Sequence, residues 1–147
     1  MARFQNFTLA EFIKSDTAAA RGIDNTPDFD NVAHLEELCD KILQPLRVAW
    51  GSGLRVTSGY RCRELNTAVG GVYNSAHISG YAADIQPING KFEEFVVFAE
   101  RWLQAGDVAF DQSIIERKGS VRWWHIGIRN QSGLQRRYRL AMDMLGK

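Results

Sequence analysis

An α+β fold, with helices packed on a mostly antiparallel sheet, is what the sequence predicts, and three observations carry that expectation. Helical periodicity dominates the first third of the chain and returns once later, short strand-like segments gather towards the end, and Gly119-Ser120 joins two of those segments as a hairpin with no helix between them. A chain of 147 residues with 45% hydrophobic content is the size of one ordinary domain and can bury a core, so residues 1–147 are read as a single domain.

Thr8-Leu-Ala-Glu11 has the capping-box pattern, a hydroxyl with a glutamate three residues on, which predicts a short helix starting there and ending before Gly22. Asn25-Thr-Pro-Asp28 reads as a turn. Val32, Leu35, Leu38, Cys39, Ile42 and Leu46 then recur at helical spacing as far as Trp50-Gly51, and Pro45 should kink or divide that helix because it has no N–H to give. Residues 54–57 alternate as a short strand, 63–69 form a short helix stopped by Gly70-Gly71, and 81–86 form a second strand. Phe92, Phe95, Val96, Ala99, Trp102 and Leu103 mark one face of an amphipathic helix ending near Gly106, and these aromatics are assigned to the core rather than to a ligand box. Residues 110–116 and 121–128 are expected to pair as strands, and 134–145 to close the chain as a helix.

A formal charge of +1 gives no mandate for a nucleic-acid partner, and the locally basic Arg129, Arg136, Arg137 and Arg139 are read as a solvated helix face. No stretch is apolar for long enough to span a bilayer, so no membrane insertion is expected. The opening Met-Ala-Arg-Phe-Gln-Asn-Phe-Thr lacks an apolar run of signal-peptide length, which predicts a protein that is cytoplasmic as synthesised and needs assisted release to act elsewhere. Cys39 and Cys62 stand alone in different settings and are expected to be free thiols, neither bridged nor ligating metal.

Chemistry concentrates in His77 and Asp84 of Ser75-Ala-His-Ile-Ser-Gly-Tyr-Ala-Ala-Asp84, and in His125 of Trp123-Trp-His-Ile-Gly127. Two imidazoles and a carboxylate are good zinc ligands, and three of them leave the fourth tetrahedral position open, as in catalytic rather than structural sites. Gly80 separates His77, in a loop or turn, from the strand that carries Asp84; by themselves two such residues are more often a hydrogen-bonded pair than metal ligands. A type II′ turn at Gly119-Ser120 sets Lys118 against Val121, Arg117 against Arg122, Glu116 against Trp123 and Ile114 against His125. Glu116 and His125 then share a face as diagonal neighbours, with room between them for a water that the carboxylate could deprotonate. The plainer alternative is a surface glutamate and a histidine packed under two tryptophans. The same register opposes Arg117 and Arg122, an unfavourable pair unless they splay or meet an anion, and His34, beside Leu35 on a helix, is read as structural or solvent-facing.

Side by side, Thr57-Ser-Gly-Tyr-Arg61, Leu65-Asn-Thr-Ala-Val-Gly70, the Ser75 to Asp84 segment, and Phe110-Asp-Gln-Ser-Ile-Ile-Glu116 followed by Trp124-His125 resemble the family of zinc D-alanyl-D-alanine peptidases. The likeness is closest to the small bacterial and bacteriophage branch, and the fold is shared with the signalling domain of hedgehog proteins. Less distinctively, Phe7-Thr-Leu-Ala-Glu11 and Gly22-Ile-Asp-Asn-Thr-Pro27 are similar to the same branch. The resemblance implies zinc held by His77, Asp84 and His125, with Glu116 activating the water. It also implies that Arg61 binds substrate or stabilises the oxyanion, and that Ser75 contacts substrate; the plainer readings are a turn-stabilising arginine and a loop-capping serine. Many members carry the catalytic acid three residues before the last histidine, where this chain has Arg122, a group that accepts no proton at neutral pH. The implied substrates are peptidoglycan stem peptides, cut as a D-Ala-D-Ala carboxypeptidase or as an L-Ala-D-Glu type endopeptidase, a phage lysis enzyme being one setting. The competing reading keeps fold and metal in a noncatalytic module that binds peptidoglycan or protein.

Overall fold

The computed structural model describes residues 4–141. Helix α1 (Leu9–Ile13) opens on the expected capping box, with the Glu11 N–H donating to Thr8 Oγ1 at 3.3 Å and the Thr8 N–H to the Glu11 carboxylate at 2.8 Å. The single helix expected up to Gly22 is in fact two. The chain leaves the helix at Lys14, and Ser15, in an extended conformation, caps α2 (Asp16–Arg21) by accepting from the Ala18 N–H at 3.1 Å. A serine that satisfies fresh N–H groups makes a restart inexpensive.

Pro45 divides the long periodic segment, as expected. Helices α3 (Phe29–Leu38) and α4 (Gln44–Trp50) flank a π-helical turn at Cys39–Leu43, where the Gln44 N–H reaches back five residues to the Cys39 carbonyl. A proline ring clashes with the carbonyl four residues before it, and one wider turn relieves that clash. The remaining elements are β1 (Leu54–Ser58), α5 (Arg63–Ala68), β2 (Ala82–Pro87), α6 (Phe92–Ala105), β3 (Gln112–Lys118), β4 (Val121–Gly127) and β5 (Tyr138–Arg139).

The fold is α+β: one sheet of order β1-β2-β4-β3-β5, antiparallel except where β5 runs parallel to β3. The hairpin register is the expected one, Lys118 opposite Val121 through Ile114 opposite His125. Gly119 has φ of 62° while Ser120 is not left-handed, which fits a type II′ turn and excludes I′.

The closing helix expected over 134–145 does not begin at 134, and its last residues, 142–145, lie outside the described part. Instead the chain runs extended beside β3, with the Tyr138 N–H donating to the Asp111 carbonyl and the Leu140 N–H to that of Ser113. Buried acids cause this. Asp111 holds Arg136, and Glu100, 1% exposed, holds Arg139 at 2.6 Å; helical geometry would pull both arginines off partners that are costly to strand. The basic cluster is accordingly a set of ion pairs rather than a solvated helix face, since Arg129 meets Glu37 and Arg137 meets Asp107 as well.

Strand alternation gives the sheet two unlike faces. Ala83 and Ile85 of β2, Ile115 of β3, and Trp124 and Ile126 of β4 join Leu35, Leu38, Ile42 and Leu46 of the first helices, with Phe95, Val96, Ala99 and Leu103 of α6, in one core. Trp124 is fully buried, meets Phe95 edge-on at 5.6 Å, and donates Nε1–H to Ser113 Oγ at 2.8 Å. Ser113 in turn bonds the Glu100 carboxylate. The opposite face presents Asp84, Gln112, Ile114, Glu116, Trp123 and His125 to a cavity of about 810 Å³.

Candidate metal centre

Asp84 and His125 face each other across the β2/β4 ladder, so backbone register alone brings a carboxylate to an imidazole: Asp84 Oδ1 lies 3.1 Å from His125 Nδ1. His77 reaches them from a 3-10 turn, Ala76–Ser79. Ser75 starts that turn, its Oγ accepting from the His77 N–H at 3.2 Å. Gly80 ends it at φ 74°, where a Cβ would stand 2.6 Å from the Asn31 carbonyl oxygen, so only glycine both turns the chain and clears α3. The turn leaves His77 Nε2 3.2 Å from the same Asp84 Oδ1. All three residues are buried, and one ligand atom from each lies within 4.8 Å of the others.

The outer nitrogens decide what the inner ones can do. His77 Nδ1 sits 2.6 Å from the Gly59 carbonyl, which can only accept, so that nitrogen carries the proton and Nε2 keeps its lone pair. His125 Nε2 sits 2.9 Å from Gln112 Oε1, which assigns its proton there and leaves Nδ1 free to ligate. Two nitrogen lone pairs and a carboxylate oxygen thus converge in a buried space, where they repel one another unless a proton or a cation lies between them. This donor set fits zinc. Without metal, protons take its place: burial would raise the Asp84 carboxyl, but His77 and His125 overcome it and hold the group far below the usual carboxylate range. Burial likewise works against the His125 imidazolium, yet the hydrogen bond and charge of Asp84, with Glu116 adding to them, raise its pKa.

The Gly59 carbonyl is placed by close packing. A Cβ on Gly59 would stand 2.5 Å from the Phe12 carbonyl oxygen, and the Tyr60 N–H donates to that same oxygen at 2.7 Å. Asn25, buried, clamps the segment by donating to the Ile13 and Tyr60 carbonyls and accepting from the Cys62 N–H. Arg61 is therefore held beside the cluster, its backbone N–H on the His77 carbonyl at 3.1 Å. Its buried Nε has no hydrogen-bond partner among the described residues. Burial lowers the guanidinium pKa, opposed by Asp84 and Glu116, and the group remains charged at any working pH.

Glu116 lines the same cavity, with Oε1 4.0 Å from His125 Nδ1 and 2.9 Å from the donating Trp123 Nε1. Arg122 has turned away to Glu93 at 3.5 Å and over the Phe92 ring at 4.8 Å, which relieves its repulsion with Arg117 and removes it from the site. His34 is structural, its Nδ1 2.6 Å from the Ser79 carbonyl and its ring stacked on Tyr81. Cys39 and Cys62 are free thiols, and burial pushes the Cys39 thiol up to about 12. Sequence reasoning missed Gln112, although its place two residues before Ile114 on the same strand face was enough to put it diagonal to His125. It had no means of finding the Gly59 carbonyl, which has no side-chain signature.

The family model described as Peptidase M15 matches residues 5–120, most of the chain and a span that takes in Arg61, His77, Asp84 and Glu116. A comparison with curated protein sequences finds no significant match. The chain belongs to the M15 peptidases, a family of zinc-dependent metallopeptidases, and its two histidines and aspartate are placed to bind the metal ion. His125 lies beyond the matched span and is supplied by the β2/β4 pairing.

Proposed function

We propose that this protein hydrolyses peptide bonds in peptidoglycan stem peptides, with zinc on His77, Asp84 and His125, Glu116 as the general base, and Arg61 and Ser75 on the substrate. The observation that carries the reading is the convergence of three ligand atoms with a second, separate carboxylate, Glu116, 4.0 Å from His125 Nδ1 on the wall of the same cavity. Zinc held there would supply Lewis acidity towards an attacking water and the substrate carbonyl. Glu116 is free of the ligand set and can take that water's proton and pass it to the leaving amine. Trp123 Nε1–H fixes the carboxylate's direction for that task. Arg61 lines the cavity and stays charged, which suits it to a substrate oxygen on which negative charge grows. Ser75 lines the cavity while its Oγ caps the His77 turn, which leaves its own O–H for a substrate acceptor.

The cavity, about 810 Å³ and lined in part by residues of segments 69–77 and 130–136, has room for several residues of a peptide. That favours an internal cut, of the L-Ala-D-Glu type, over removal of a terminal D-alanine. Mass spectrometry of defined muropeptides incubated with zinc-loaded protein, beside a chelated control, tests both points. Chelator-sensitive cleavage with an internal product mass supports the reading, loss of a single terminal residue moves it to the carboxypeptidase, and no cleavage with zinc verified in the protein favours a noncatalytic binding module.

A further inference from the structure

Arg61, Arg117 and Arg136 line the cavity together with Asp84, Asp111 and Glu116. Three cations offset three carboxylates, so a divalent ion in the centre leaves a positive surplus, which suits an anionic substrate. Arg136 lies outside the span that matches the family and is the most firmly built of the three. Its Nε and Nη2 donate to the two Asp111 oxygens at 2.8 Å each, and its backbone N–H donates to Asp111 Oδ1 at 2.9 Å. Asp111 is fully buried. The next two residues are tied down as well, Arg137 N–H on the Phe110 carbonyl and Tyr138 N–H on that of Asp111.

A guanidinium has five N–H donors, and the Asp111 fork engages only the Nε and Nη2 side. Nη1 has no protein partner among the described residues, and the side chain is 51% exposed on the cavity wall. With its plane already fixed by one carboxylate, the group gives up little freedom on meeting a second. Its position follows from the strand. Asp111 precedes Ile114, the residue opposite His125, by three positions, a separation of roughly 10 Å along an extended chain. Glu116 lies beyond Ile114 in the other direction.

Building on the peptidase reading, we infer that Arg136, held by Asp111, binds a carboxylate that a peptide substrate carries about two to three residues from the bond being cut. The protein thereby selects acidic peptides longer than a dipeptide.

The test uses stem-peptide analogues in pairs, carboxylate against carboxamide at each successive position, with calorimetric binding to zinc-loaded Glu116→Gln protein and turnover by the parent enzyme. The acid form at one position should bind about tenfold to hundredfold tighter than its amide, the range expected for a charged hydrogen bond. Arg136→Gln should bring the two forms together with zinc content unchanged, and Arg136→Lys, which keeps the charge without the fork, should retain part of the preference. Because the acid and amide forms are compared within each protein, a modest loss of stability in Arg136→Gln leaves the ratio readable, and Arg136→Lys supplies a second, milder variant. Equal affinities at every position, or a preference that survives Arg136→Gln, would overturn the proposal. If the parent cleaves nothing, the peptidase reading fails on turnover while the affinity ratio still decides the role of Arg136.

Discussion

The two faces of the sheet are made by the same strands, residue by alternate residue, and they tolerate change differently. On β4, Trp124 and Ile126 enter the core while Trp123 and His125 enter the cavity; on β2, Ala83 and Ile85 point one way and Asp84 the other. The core face is held by many individually weak contacts, with the buried Trp124–Ser113–Glu100 hydrogen bonds as its directed exception. The cavity face is held by a few directed contacts: Gly59 O accepts from His77, Gln112 Oε1 accepts from His125, and Asp84 Oδ1 lies against both inner nitrogens as the third ligand atom. A substitution on the first face should therefore appear as lost stability with an intact site in the surviving fold, and one on the second as lost chemistry in a stable fold.

Trp124→Ala tests the core face most severely. Removing a fully buried indole, and its hydrogen bond to Ser113, should cost about 3–5 kcal/mol in denaturant unfolding. A loss under about 1 kcal/mol would mean the core can collapse around the cavity and is far less specific than its packing suggests.

Gln112→Leu probes the other face, one position removed from the ligands. With the acceptor for His125 Nε2–H gone, zinc affinity should fall by about 10- to 100-fold while the metal-free protein keeps its melting temperature. Unchanged affinity by competition with a chromogenic chelator would show that His125 is oriented by something other than this bond.

A smaller effect separates the faces by pH. Asp84 and Glu116 raise the folded-state pKa of His125 against the opposing effect of burial. A raised pKa contributes stability that is complete below the unfolded value of about 6.5 and is lost as pH rises through the folded value. Zinc needs the neutral ring, so the difference in melting temperature between zinc-loaded and chelated protein should widen as pH rises from about 6 to about 8. A constant difference across that range would place His125 outside the metal set.

Much of this was legible before the structure, for identifiable reasons. Gly119-Ser120 admits one tight hairpin, so the register that sets Glu116 beside His125 followed from two residues. The ligands stood in short segments whose glycine and serine punctuation is itself structural, as Gly80 and Ser75 show. The failures have two other causes. Ser15 restarting a helix is a local choice between two acceptable conformations, while the extended C-terminal segment is set by Asp111 with Arg136 and Glu100 with Arg139, partners far apart in the chain. Periodicity reports what a segment prefers alone, and buried ion pairs override that preference without leaving a mark on the pattern.

The most direct measurement of the central claim, that one face of the sheet carries the chemistry and the other the fold, is Glu116→Gln followed in zinc content, melting temperature and peptide turnover together. One zinc per chain, an unchanged melting temperature and turnover reduced by about 10²- to 10⁴-fold are the predicted results. Near-normal turnover in that variant would contradict the account and remove Glu116 from the mechanism.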